Sequence, residues 1–189
     1  MPKPNEGVLK ANRTVAADEV YTPFYAVTPL LKYISKELVI WCPFDKEWSA
    51  YVQTFLAAGN KVIYSHLDDG QDFFEYQPDQ HYDVIISNPP YSKKDEVLKR
   101  LKEIGKPYAM LLPLATLQGQ RRFSSFENTQ ALIFDKRIGY HTWQDFQNTK
   151  EANPAATIYI CKDVLPKDLI MEVLDKYDKP LKEKVRDIE

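Results

Sequence analysis

Cysteine and histidine are scarce in this chain, and neither is spaced to hold a metal. There are two cysteines, Cys42 and Cys161, and three histidines, none in a ligand pattern, so no metal site is expected. Both cysteines fall in strand-like apolar runs, which suits reduced, buried thiols in a cytoplasmic protein better than a disulfide framework. Long apolar runs are missing too. No stretch approaches membrane-spanning length, and residues 1–12 are polar with no signal-peptide core. No membrane partner is therefore expected. An excess of basic charge is also absent: 25 Lys and Arg against 27 Asp and Glu leave a net charge of −2. Phosphate contacts supply much of the affinity of a nucleic-acid enzyme, so here they would have to come from local clusters. The candidates are Lys93-Lys94, Lys99-Arg100-Lys102 and Arg121-Arg122. The second lies on a predicted helix face and reads as solvated. Arg121 and Arg122, in a Gln-Gly-Gln-Arg-Arg loop, are the better phosphate ligands.

What is present is an ordinary globular composition, 44% hydrophobic and 28% charged over 189 residues. That suffices for one domain with a core that needs no staples. Thr28 followed by Pro29 predicts an N-cap and first helical residue, opening a helix to about residue 36. Strands are predicted over 38–42, 61–65, 82–87, 108–112, 131–134 and 156–161, and helices over 47–58 and 95–104, stopped by Gly59-Asn60 and Gly105. Residues 136–143 read as part of a hairpin. Leu169, Ile170, Val173, Leu174 and Tyr177 read as one face of a closing helix. Neither an internal repeat nor a low-complexity linker is present. Strands alternating with helices imply an α/β fold with a mostly parallel, doubly wound sheet, in which ligands bind beyond the carboxyl ends of the strands. Three strand exits then share one rim: Cys42-Pro43-Phe44-Asp45, Ser65-His66-Leu67-Asp68-Asp69 and Asn88-Pro89-Pro90-Tyr91.

The third exit is the most informative. Two prolines directly after the apolar run Tyr82-Asp83-Val84-Ile85-Ile86-Ser87 cannot continue a sheet ladder, because each lacks an N–H and has φ fixed. The chain must leave the sheet stiffly. It holds the Asn88 amide and the prolyl carbonyls as fixed acceptors, with Tyr91 a flat platform beside them. Asn-Pro-Pro-Tyr resembles the catalytic motif of S-adenosylmethionine-dependent amino methyltransferases, most often those acting on adenine N6 of DNA. In that chemistry the exocyclic amine is a poor nucleophile because its lone pair is delocalised into the ring. The Asn88 side-chain oxygen and the Pro89 carbonyl would accept its two N–H groups and localise the lone pair. Tyr91 would stack on the extruded base, a contact worth about 1–3 kcal/mol. The resemblance implies a Rossmann-like class I methyltransferase fold with helices on both faces and an antiparallel C-terminal strand.

The resemblance extends to the neighbouring segments. Tyr21-Thr22-Pro23 is similar to the upstream segment that closes over the methionine part of the cofactor, with Thr22 donating to its carboxylate. Pro43-Phe44 resembles the Asp-Pro-Phe of the first strand's exit, with Cys42 in place of the Asp. Asp72-Phe73-Phe74 resembles the segment whose acid accepts from the cofactor's adenine amine while a ring packs beside it. Residues 136–140 correspond to a loop near the target base. The similarity is greatest to short adenine methylases of phages and restriction-modification systems. Two departures stand out. The usual glycine-rich turn after the first strand is missing, since residues 43–50 contain no glycine. Asp45, Lys46, Glu47 and Trp48 occupy that space, which bears on cofactor affinity and pose, with Asp45 among the expected cofactor-binding residues. Where an acid usually grips the ribose, Ser65-His66 stands instead, so either His66 takes that role or Asp68 or Asp69 reaches back.

A catalytic core of this kind occupies nearly all of residues 1–189 and leaves no separate target-recognition domain. Sequence reading would fall to the loops at 115–128 and 139–153, to a homodimer, or to a separate recognition partner. Three functions fit. The first is methylation of adenine N6 in DNA. The second is methylation of another amine: RNA adenine, cytosine N4 (away from which Asn at position 88 leans) or protein glutamine. The third is a methyltransferase-like binding module without turnover, consistent with the glycine-free loop and opposed by the intact motif.

Overall fold

The computed structural model describes residues 21–140 and 155–176. They form α1 (Phe24–Val27), which runs into a 3-10 turn (Thr28–Lys32), then β1 (Val39–Cys42), α2 (Ala50–Ala57), β2 (Lys61–Tyr64), β3 (Val84–Ser87), α3 (Lys94–Ile104), β4 (Tyr108–Pro113), β5 (Gln130–Phe134), β6 (Thr157–Lys162) and β7 (Leu169–Glu172). The strands make one seven-stranded sheet in the order β2-β1-β3-β4-β6-β5-β7. β2, β1, β3 and β4 are mutually parallel. β6 runs antiparallel to both β4 and β5, and β7 is parallel to β5. This is the Rossmann-like arrangement expected of a class I methyltransferase.

The inner parallel strands β1, β3 and β4 are mostly apolar and buried because both faces are covered, whereas the edge strand β2 is only partly covered. Successive side chains point to opposite faces, so each strand feeds two cores. Ile40, Cys42, Val84, Ile86, Ala109 and Leu111 pack with Leu30 and with Tyr51, Val52 and Phe55 of α2. Trp41, Ile85, Met110 and Leu112 pack with Val97, Leu98 and Leu101 of α3 on the other side. The chain moves outward from β1 to β2, then returns to place β3 on β1's other flank. The order therefore reverses between β1 and β3, which puts a ligand crevice outside their carboxyl ends. No helix among the described residues is long and apolar enough to cross a membrane.

Three local expectations are corrected. The first helical turn begins at Phe24, with Pro23 as N-cap, rather than at Thr28. Thr28 lies inside the helical run and its hydroxyl donates back to the Phe24 carbonyl at 2.9 Å. Pro29 has no N–H to close an α-helical bond, so the chain tightens into a 3-10 turn that ends at Lys32, short of residue 36. α2 starts at Ala50 instead of residue 47, because the Ser49 hydroxyl accepts from the Val52 N–H. The predicted closing helix is the edge strand β7. The run Leu169-Ile170-Met171-Glu172-Val173-Leu174 satisfies either period, and pairing decides between them: Ala131 N–H donates to Asp168 and Asp135 N–H to Glu172. Leu169, Met171 and Val173 face out while Leu174 is buried. Tyr177 and residues 141–143 of the expected hairpin lie outside the described residues, and 136–139 contain no strand.

The turn from α2 into β2 is tied to the entrance of β1 by one side chain. The Asn60 amide donates to the Ser35 carbonyl at 2.9 Å and to the Leu38 carbonyl at 3.0 Å. Asn60→Ala leaves both carbonyls without that donor and should cost about 1–3 kcal/mol. It is expected as a lower urea midpoint at unchanged m-value. A wild-type midpoint would show that the backbone bond from Asn60 N–H to Phe55 carries the turn alone.

Candidate active site

The β3 exit is built as its sequence requires. Val84–Ser87 is buried at every position. Pro89 is buried and Pro90 extended, with φ −61° and ψ 123°. Tyr91 then opens the 3-10 turn Tyr91–Lys93, which leads into α3. The Pro90 carbonyl accepts from Lys93 N–H at 3.1 Å and is thereby spent in the turn. The Asn88 amide nitrogen donates to the Thr22 hydroxyl at 3.1 Å. Its carbonyl oxygen, Oδ1, is buried and has no partner among the described residues. An acceptor desolvated in that way costs roughly 1–3 kcal/mol, so it is poised for an N–H.

The upstream segment does come to this rim. Thr22 meets Asn88, and since a hydroxyl that accepts can still donate, it keeps its own proton for a ligand. Tyr21 packs edge-on against Trp48 of the first loop, with ring centroids 5.1 Å apart. Pro23 and Pro43 are buried supports.

The glycine-free loop is accommodated by turning Asp45 inward. Its backbone N–H donates to the Ser65 carbonyl at 3.2 Å, and Ser65 N–H donates to Cys42 at 3.1 Å. Its carboxylate accepts from the Ser87 hydroxyl, one residue before Asn88. Asp45 thus staples the exits of β1, β2 and β3 together and, at 7% exposure, lines the floor of the rim. Burial pushes its carboxyl up to about 6, against the smaller lowering effect of the Ser87 and Ser49 hydroxyls.

The other expected ligands divide. Phe44 is half-buried and packs on Phe73 at 4.9 Å. Phe73 itself is a core residue, 1% exposed and 5.5 Å from Trp41. It is Phe74 that carries a cation, the Lys93 ammonium, 5.1 Å from its ring centre. Asp72 accepts from Phe74 N–H at 3.1 Å through Oδ1. His66 caps the turn after β2, its Nδ1 accepting from Asp68 N–H at 3.1 Å. In the neutral ring this leaves the proton on Nε2 as a donor. Asp68 is committed to Lys46 at 2.6 Å, which holds its carboxyl below the usual range. Of the two alternatives for the ribose, His66 is the better placed.

Arg122, expected as a phosphate ligand, is engaged within the fold. Its guanidinium is paired with Asp95 in the first turn of α3 and donates to the Gln118 carbonyl at 3.0 and 2.7 Å. Gly119, at φ +146°, permits this fold-back, since a Cβ there would come within 2.7 Å of the guanidinium. The Arg121 side chain lies outside what the structure describes.

Tyr140, from the 136–140 loop expected near the target base, and Thr157, which sequence reasoning did not assign, complete the rim. The Tyr91 hydroxyl lies 2.9 Å from that of Tyr140, whose own proton goes to Thr157 Oγ1 at 2.7 Å. Tyr140 belongs to the 136–140 segment, and the structure brings that segment to Tyr91. Thr157 opens β6 opposite Pro113, at the carboxyl end of β4. An open depression beside Lys32, Tyr33, Gln130 and Leu165 lies at the other end of the sheet, where Gln130 begins β5. Among the described residues no group of three His, Cys, Asp or Glu side chains is placed to hold a metal.

No protein-family model and no curated protein matches the chain. Among solved structures it is similar to one described as a "putative methyltransferase" from Thermoplasma acidophilum, at 12% identity over 74% of this chain and 73% of that one, with a TM-score of 0.34.

The buried acid predicts a pH dependence of stability. A carboxyl raised from 3.8 to about 6 on folding binds more protons in the native state, so its contribution falls as pH rises from about 4 to 6 and is then constant. Asp45→Asn keeps an acceptor for Ser87 and removes the titration. Relative to wild type, it should gain on the order of 2–3 kcal/mol between pH 4 and pH 7.5. Urea unfolding at the two pH values measures this, and an equal offset at both would disprove the assignment.

Proposed function

We propose that this chain is an S-adenosylmethionine-dependent methyltransferase acting on the exocyclic N6 amine of adenine in DNA. The observation that carries the reading is the buried, partnerless Oδ1 of Asn88, fixed on a Pro-Pro exit at the point where the strand order reverses. The Pro89 carbonyl, with no donor among the described residues, would be the second acceptor for an amino group with two N–H bonds. Aiming acceptors at a nitrogen that becomes positive in the transition state is a preorganised electrostatic contribution. The rest is positioning.

The side chains around this pair suit the cofactor. Thr22 would donate to its carboxylate, and His66 Nε2 to its ribose hydroxyls. Asp72 would accept from its adenine amine. Phe44 and Phe74 would supply apolar and π surface. The buried Asp45 carboxylate would offset a cationic sulfur from below the rim. When bound, S-adenosylmethionine supplies the electrophilic methyl group. Tyr91 provides the platform for the extruded base. Target reading falls outside this constellation, to a homodimer or a separate recognition partner.

The internal commitment of Arg122 favours keeping a second substrate class in the test, a protein amide, which does not rely on phosphate contacts; an adenine in RNA is tested beside it. Labelled cofactor is incubated with duplex DNA, single-stranded DNA, RNA and protein, and the digests are searched for N6-methyladenine and methylglutamine. Label on DNA is expected. Asn88→Ala should lower transfer by roughly 10²–10³-fold, the loss typical of one preorganised partner, with cofactor affinity within about threefold of wild type. Near-normal turnover in that variant would remove the role of Asn88, and calorimetric cofactor binding without transfer to any acceptor would refute the enzymatic reading.

A further inference from the structure

Tyr140 is wholly buried, with no exposed ring face, yet its hydroxyl reaches the one aromatic side chain assigned to the substrate. A phenol has a single proton. Tyr140 gives its proton to Thr157, so in the 2.9 Å contact it is Tyr91 that donates. The chain Tyr91 to Tyr140 to Thr157 is therefore directed inward. It joins the β3 exit, the segment after β5 and the start of β6. Burial holds the Tyr140 phenol above its usual range, so it stays a neutral donor across the physiological pH interval.

Two consequences follow for the Tyr91 ring. It is fixed at both ends, by the Pro-Pro exit at its Cα and by Tyr140 at its hydroxyl, while one side packs on the α3-facing core. Its proton is also spent, so it can meet a base by its face but not as a donor at its edge. Tyr140 in turn cannot be a second stacking surface, because none of its ring reaches solvent.

We propose that Tyr140 is a positioning residue that sets the ring plane of Tyr91 through the shared hydroxyl bond, and so controls capture of an extruded base without touching it. The inference rests on the function proposed above and extends it by one residue that the motif does not contain.

The test compares Tyr140→Phe, Tyr91→Phe and the double variant. Tyr91→Phe keeps the platform ring and the buried bond from Tyr140 to Thr157, so it remains informative if Tyr140→Phe folds poorly. With single-stranded oligodeoxyadenylate as probe, each single variant should raise the oligonucleotide KM by about three- to tenfold, the size expected for one hydrogen bond. Cofactor Kd should stay within about twofold. The double variant should be no worse than Tyr140→Phe, because that single already removes the bond lost in Tyr91→Phe. An unchanged KM in both singles, or losses that multiply in the double, would overturn the proposal.

A readout that does not depend on turnover separates the two ideas. With 3-fluorotyrosine incorporated, the resonance lost in Tyr91→Phe identifies Tyr91. In Tyr140→Phe that resonance should shift and narrow towards the free side-chain value as the ring gains freedom. If wild-type protein methylates no oligonucleotide, the proposed function fails and the fluorine signal alone decides the strut: a changed Tyr91 resonance sustains it, an unchanged one refutes it.

Discussion

The geometry of this rim depends on one constraint: β3 must stop at Ser87 and leave as a rod. Two consecutive prolines remove two ladder donors and fix two φ angles, so the residue before them cannot relax into the sheet. Asn88 is held with its amide nitrogen on Thr22 and its oxygen buried. A flexible exit would let that oxygen find a neighbour or water. The stiffness keeps a polar atom unsatisfied, a local cost borne by a core packed on both faces of the sheet.

The first loop solves a related problem in an unusual way. A glycine-rich turn gives the backbone close access to a ligand by having no Cβ. Here residues 43–50 bear side chains throughout, and access is recovered by folding Asp45 under the rim. The carboxylate then does structural work between strand ends, accepting from Ser87 while its backbone meets Ser65. Among the described residues no cation pairs with it: Ser87, Ser49, Tyr51, Tyr159 and Cys42 are the groups that sense it. A buried anion with only hydroxyl and thiol company is destabilising by itself. On the proposed function, the compensating charge would arrive with the cofactor.

Much of this was legible in the residues, and what was not follows a pattern. Strands β1 to β6 announced themselves because each is a short apolar run between turn residues, and α3 did so through Val97, Leu98, Leu101 and Gly105. β7 did not, since the apolar-rich run Leu169–Leu174 that contains it suits a helix as well as a strand, and only pairing with β5 selects one. Arg122 looked free because a sequence shows charge without partners, and Asp95 lies 27 positions away. The tyrosines were least readable. Tyr25 exchanges bonds with Gly139, Tyr159 donates to Ala26, and Tyr140 links Tyr91 to Thr157. Such struts have no period and no spacing, being set by which ring ends near which chain after folding.

A rim made of acceptors, rings and one buried anion makes a particular demand on any nucleic acid. With Arg122 paired to Asp95 and a net charge of −2, this arginine adds little salt-sensitive affinity. Under the proposed function, binding would have to come from the base itself, through two hydrogen bonds and a stack on Tyr91. Stacking contributes about 1–3 kcal/mol, while taking a paired base out of a duplex costs a few kcal/mol. The two nearly cancel. The platform must therefore lose as little as possible to its own motion, which is what a ring pinned at its hydroxyl by Tyr140 achieves. It also means that an adenine already unpaired, or one opened by a partner that supplies the missing positive charge, suits this site better than one enclosed in a regular helix.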